Sequence, residues 1–144
     1  QYVNERNSRR TMKATSTALM VLFNTTPNAF YTSVSGKLYK ERAPQTATLP
    51  YAVYHIISNV PTWSFNTFFE TTRIQFDLYA PSSDSSSTIE DMYTNLKALF
   101  DWCTLVISGN THLYMRRELA RLSRDPTDDC WVYNVDYELM MERN

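Results

Sequence analysis

The stretch Gly36–Tyr54 reads GKLYKERAPQTATLPYAVY: a short apolar pair, Leu38-Tyr39, then a polar loop, then Leu49-Pro50, then alternating Tyr, Ala, Val and Tyr. Proline lacks an N–H and has a fixed φ, so Pro50 suits the entry to a strand and not its interior. The spacing predicts a strand from Tyr51 to Ser58. Ala52, Tyr54 and Ile56 lie on one face and Tyr51, Val53, His55 and Ile57 on the other. Both faces are apolar, which predicts a central strand covered on both sides.

Working outward, Asn59–Phe68 reads as a hairpin tip or an arm reaching past the sheet. Trp63, Phe65, Phe68 and Phe69 crowd into it. Such a cluster either folds back on the core or inserts into a neighbour as rigid aromatic anchors. The next strand spans Phe69–Tyr79, with Ile74, Phe76 and Leu78 facing one way and Arg73, Gln75 and Asp77 the other. Ser87-Thr-Ile-Glu90 fits a capping box opening a helix to about Trp102, whose inner face holds Ile89, Met92, Tyr93, Leu96, Leu99, Phe100 and Cys103. Ser108-Gly109-Asn110 is a turn. Thr111–Leu122 reads as a strand, although Arg116–Leu122 also fits a helix. Cys130–Met141 closes the chain as a strand with Trp131, Tyr133, Val135, Tyr137, Leu139 and Met141 on one face.

Upstream, Thr11–Phe23 is helical, with Ala14, Ala18, Leu19, Leu22 and Phe23 at spacings of three and four, and it ends before Pro27. Residues 1–11 read as an extended arm or a frayed helix start, and 28–50 as mostly loop. The expectation is one α+β domain over residues 1–144. It has a mostly antiparallel sheet of four strands, or slightly more, packed by two helices in the order α-β-β-α-β-β.

Composition bounds the chemistry. The 144 residues carry 43% hydrophobic and 20% charged side chains, ten Tyr and two Gly, with net charge −1. A chain so balanced has no overall nucleic-acid footprint, and two glycines leave no Gly-rich phosphate loop. Basic residues gather at Arg6, Arg9, Arg10 and Lys13 and again at Arg116, Arg117, Arg121 and Arg124. Acids gather at Asp128, Asp129, Asp136, Glu138 and Glu142. His55 and His112 are the only histidines, and Cys103 and Cys130 the only cysteines. Neither set has metal-ligand or nucleophile spacing, so no cofactor, metal or catalytic residue is expected. His55, mid-strand, reads as a hydrogen-bonded structural residue, and both thiols as buried and reduced. No apolar run reaches the ~20 residues of a membrane span, so synthesis in the cytoplasm without membrane association is the expectation.

From Leu38 to Arg143 the order of local patterns resembles one family, the tail-completion (tail terminator) proteins of long-tailed bacteriophages. The resemblance rests on Leu38-Tyr39, Ala43-Pro44 and Leu49-Pro50-Tyr51-Ala-Val53-Tyr54. It continues through Arg73-Ile-Gln-Phe76-Asp-Leu-Tyr79-Ala80-Pro81 and the closing strand Trp131-Val-Tyr133-Asn-Val-Asp-Tyr137. It departs from the family at Trp63, Phe65 and Phe68, where the family's hairpin is polar and Gly-containing. The resemblance implies a virion protein forming a six-fold ring on the head-proximal end of the tail tube. Such a ring stops tube polymerisation and meets the head connector or stopper, with genomic DNA passing through unbound. On that reading Trp63, Phe65, Phe68, Arg116, Arg117 and Arg121 are interface candidates. Asp128, Asp129, Asp136, Glu138 and Glu142 are candidates for a DNA-repelling channel wall. The alternative is a head-closure (stopper) or other neck protein, and a more distant one is a nucleic-acid-binding regulatory domain.

Overall fold

The computed structural model describes residues 2–25, 27–83 and 85–144, with side chains from Arg9 onward. The order is α1 (Tyr2–Phe23), α2 (Ala29–Ser33), β1 (Leu38–Lys40), β2 (Tyr51–Trp63), β3 (Phe68–Pro81), α3 (Ser87–Phe100), β4 (Asn110–Asp125) and β5 (Cys130–Arg143). The strands form one five-stranded sheet in the order β1-β2-β3-β5-β4. All pairings are antiparallel except β1 with β2, which is parallel.

The expected α+β class stands, but the sheet is mixed and five-stranded, with three helices. Both additions fall in residues 28–50. β1 pairs only Leu38, Tyr39 and Lys40 with Ala52, Val53 and Tyr54. Three residues are too few to show a period. α2 is a single turn capped by Asn28, whose side chain accepts from Tyr31 N–H at 2.6 Å and donates to Phe23 O at 2.8 Å. That asparagine links the end of α1 to the start of α2. Phe30 on α2 then packs between Phe23 and Phe100, with ring centroids 5.8 and 6.2 Å away.

Of the two readings of residues 1–11, the extended arm is corrected and the helix start stands: the backbone is helical from Tyr2, with Gln1 outside the described residues. Arg9, Arg10 and Lys13 lie exposed along this helix, and the side chain of Arg6 is outside the described residues. Thr11 and Thr15 are buried on the inner face, above Ala18, Leu19 and Phe23.

All three helices cover one face of the sheet. Against them lie Ala52, Tyr54, Ile74, Phe76, Leu78, Ala80, Met115, Val135, Tyr137, Leu139 and Met141. The centre is aromatic: Phe76 meets Phe100 at 4.7 Å, Tyr137 at 5.7 Å and Tyr54 at 6.3 Å. β2 therefore corrects its own expectation. Its second face carries no helix, and Ile57 is 52% exposed. The apolar residues there instead form a tyrosine ladder, Tyr39–Tyr51–Tyr79, with centroids 6.0 and 5.0 Å apart.

α3 ends at Phe100, two residues earlier than expected, with Asp101 as its extended C-cap. The capping box at Ser87 does not form. The N-cap is Ser86, with no side-chain cap bond, and Ser87 Oγ bonds Ser85 Oγ at 2.7 Å. Both readings of Arg116–Leu122 are settled as strand, because β4 pairs with β5 along its length.

Candidate assembly surfaces

The β2–β3 hairpin carries two exposed large aromatics, Trp63 and Phe65. The turn is closed by Ser64 N–H to Thr67 O at 2.9 Å. Phe65 at its tip is 101% exposed, and Trp63 is 62% exposed with its indole against Phe68 at 4.1 Å. The Arg143 guanidinium lies over the Phe68 ring at 5.6 Å. Phe65 thus does not fold back on the core. Between Ala43 and Phe69 the sequence holds no Lys, Arg, Asp or Glu, so the tip of the hairpin is uncharged on a protein that is elsewhere well charged.

The arginines of β4 do not form one patch. Register puts Arg116 opposite Glu138 and Arg121 opposite Asn134, on the uncovered face; Arg117 pairs with Tyr137 on the helix face. An irregularity between Arg117 and Leu119 resets the alternation. Arg116 is held by Glu118 at 2.6 Å and Glu138 at 2.7 Å. Arg117 lies over Tyr93, hydrogen-bonds its hydroxyl, and reaches Asp101 at 3.4 Å.

The five acids divide similarly. Asp136, Glu138 and Glu142 share the uncovered face of β5. Asp128 and Asp129 sit in the β4–β5 turn, at the far end of that strand from Glu142. Burial pushes the Asp136 carboxyl up, against the pull of Arg73. Hydrogen bonds from Ser82 and Arg124 hold Asp129 down. With Arg73, Arg116 and Arg121 interleaved among them, the acids of this face lie in a mixed field.

One cluster on that face was not visible in the sequence. Asp77, on the face opposite Ile74, Phe76 and Leu78, is only 6% exposed. It accepts from Gln75 at 2.8 Å and Asn134 at 2.6 Å, and pairs with His55 Nε2 at 3.0 Å. His55 Nδ1 meets Glu41 at 3.1 Å. Glu41 arrives from the loop after β1 in a left-handed conformation, φ +63. Strand alternation signals which face Asp77 is on, but only pairing across three strands reveals its partners. His55 is the structural, bonded residue expected. His112, by contrast, has its Nδ1 buried without a partner among the described residues, and burial lowers its pKa. Cys130 is buried and Cys103 half-buried, both as free thiols. Burial pushes Cys103 up to about 12. Among the described residues no His, Cys, Asp and Glu group could hold a metal, and no helix is long and apolar enough to cross a membrane.

No protein-family model matches the chain, and no curated protein matches it. A solved structure shares its fold. It is a chain in the structure described as the virion of a native gene transfer agent (GTA) particle. The match covers 85% of this chain and 91% of that one, with a TM-score of 0.74 and 10% identity. At that identity the likeness speaks for the fold, and nearly the whole of each chain takes part in it.

Proposed function

We propose that this chain is a structural protein of a phage-type virion, and that it forms a ring at the head-proximal end of the tail tube. There it ends tube polymerisation and offers the surface that joins the head. The observation that carries the virion reading is the shared fold with a virion chain over 85% of this sequence. The terminator role is drawn from the pattern running from Leu38-Tyr39 to Trp131–Tyr137. An uncharged hairpin tip with a fully exposed Phe65 suits a protein whose work is docking. We assign Trp63, Phe65 and Phe68 to contact with the tail tube, and the open face bearing Asp136, Glu138 and Glu142 to the channel. There its acids limit adhesion of passing DNA.

Electron microscopy of a lysate made without this protein tests the role. Unjoined heads beside tails of irregular, excessive length are the expected result. Tails of normal length beside emptied heads would move the protein to head closure, the second reading. Normal virions would remove both.

A further inference from the structure

Two exposed apolar clusters flank the sheet on opposite edges. On the β2 side, Ile57 and Val60 are 52 and 55% exposed. β1 covers β2 only at Ala52–Tyr54, so the strand is bare from Ile57 onward. On the β4 side, Trp102, Val106 and Leu113 are 69, 90 and 42% exposed.

The second cluster is held in place by the segment after α3. Trp102 N–H donates to Met115 O at 2.8 Å, and its ring lies 6.3 Å from Tyr114. Its φ of +55 is left-handed, which a bulky residue rarely adopts. Leu105 and Ile107, each 3% exposed, turn inward and leave Val106 between them pointing out. Leu113 is skipped in the β4–β5 pairing, and Ile57 is skipped in the β2–β3 pairing. A bulge frees a side chain from regular alternation, and each of these leaves an aliphatic group at an edge.

The register sets the clusters level. Val60 pairs with Thr71, Thr71 with Met140, and Met140 with Tyr114. One cross-strand row therefore runs from the first cluster to the second. β2 and β4 run in opposite senses, because three antiparallel pairings separate them. A copy turned about an axis parallel to the strands, with no shift along it, brings one edge against the other at that height. The uncharged stretch from Ala43 to Phe69 meets Arg116 and Arg117 without like-charge conflict.

We propose that Ile57 and Val60 of one copy pack against Trp102, Val106 and Leu113 of a second copy. Each copy gives one cluster and receives the other, a heterologous contact that closes by rotation. This deepens the ring reading by naming its subunit contact.

Val60→Glu and Val106→Glu each put a charge into one cluster at an exposed site. Circular dichroism and thermal melting verify that both variants fold. Size-exclusion chromatography with light scattering then gives the masses. The unaltered chain is expected at several times its 16.8 kDa, and each variant alone at 16.8 kDa. An equimolar mixture of the two is expected at twice 16.8 kDa, because one intact contact survives between them and growth stops there. A monomeric unaltered chain, a variant that keeps the unaltered mass, or a mixture that stays monomeric overturns the proposal. Irregular tails in the lysate lacking this protein would still support termination in that event. The doubled mass with normal virions would keep the contact and discard the role.

Discussion

The Tyr137 hydroxyl donates to Asp101 Oδ1 at 2.5 Å, tying the middle of β5 to the residue that ends α3. Tyr137 is fully buried, and burial first, then the bond to Asp101, holds its hydroxyl well above the ordinary 10.0. Arg117 shares the same carboxylate at 3.4 Å. Tyr137→Phe keeps the ring and removes the bond, so it is expected to cost about 1.5–3 kcal/mol. Chemical denaturation measures it as a lower midpoint at unchanged slope. A loss below about 0.5 kcal/mol would mean that Arg117 alone holds Asp101.

Glu70 faces the helices from β3. It is 2% exposed, and its Oε2 has no hydrogen-bond partner among the described residues. Burial raises its carboxyl above the ordinary 4.5, opposed by a bond to Thr11 and by Arg143. The folded chain therefore holds this proton to higher pH than the unfolded chain does. Its contribution to stability falls as pH rises from the unfolded value through the folded one, and stays low above that. Glu70→Gln is expected to raise the melting temperature at pH 7 by about 4 °C, on the order of 1 kcal/mol. That advantage should shrink as the pH approaches about 4, where both states are protonated. A gain of the same size at both pH values would contradict the charge argument.

The two glycines differ in a measurable way. Both have positive φ, +71 at Gly36 and +78 at Gly109. A Cβ on Gly36 would lie 2.9 Å from the Tyr31 ring, whereas one on Gly109 meets nothing within 4 Å. Gly109→Ala should cost only backbone strain, about 1–2 kcal/mol. Gly36→Ala adds overpacking of about 1–3 kcal/mol. Scanning calorimetry of the pair should rank them in that order.

The docking role of the hairpin separates from its structural role. Phe65 is fully exposed, and Trp63 touches the body of the hairpin through Phe68. Trp63→Ala combined with Phe65→Ala should leave the circular dichroism spectrum unchanged, with a stability loss under about 1.5 kcal/mol. Attachment to purified tail tubes, scored by electron microscopy, should be lost. Retained attachment would count against the tube contact.

Long periodic segments were legible in the sequence. Ile74–Phe76–Leu78 and Val135–Tyr137–Leu139–Met141 sit at the alternation expected of one buried face, and Ile89–Met92–Leu96–Phe100 at helical spacing on α3. Short elements were not. β1 has three residues and α2 five, and each is held by partners distant in sequence or by a cap. The capping box at Ser87 failed for a local reason: its hydroxyl had a nearer partner in Ser85.

The interface candidates divide along the same line. That Trp63, Phe65 and Phe68 form an unusual aromatic hairpin could be read directly from residue types and spacing. That Arg116 and Arg121 face away from Arg117, or that Asp77 lies buried beneath His55, Gln75 and Asn134, could not. Alternation along one strand is a local property of the chain, so the sequence alone determined which residues of β3, β5 and α3 face the core. Register between strands, bulges and the choice of sheet neighbours join residues tens of positions apart. Only the tertiary structure decided which charges meet and which apolar clusters stand level on opposite edges.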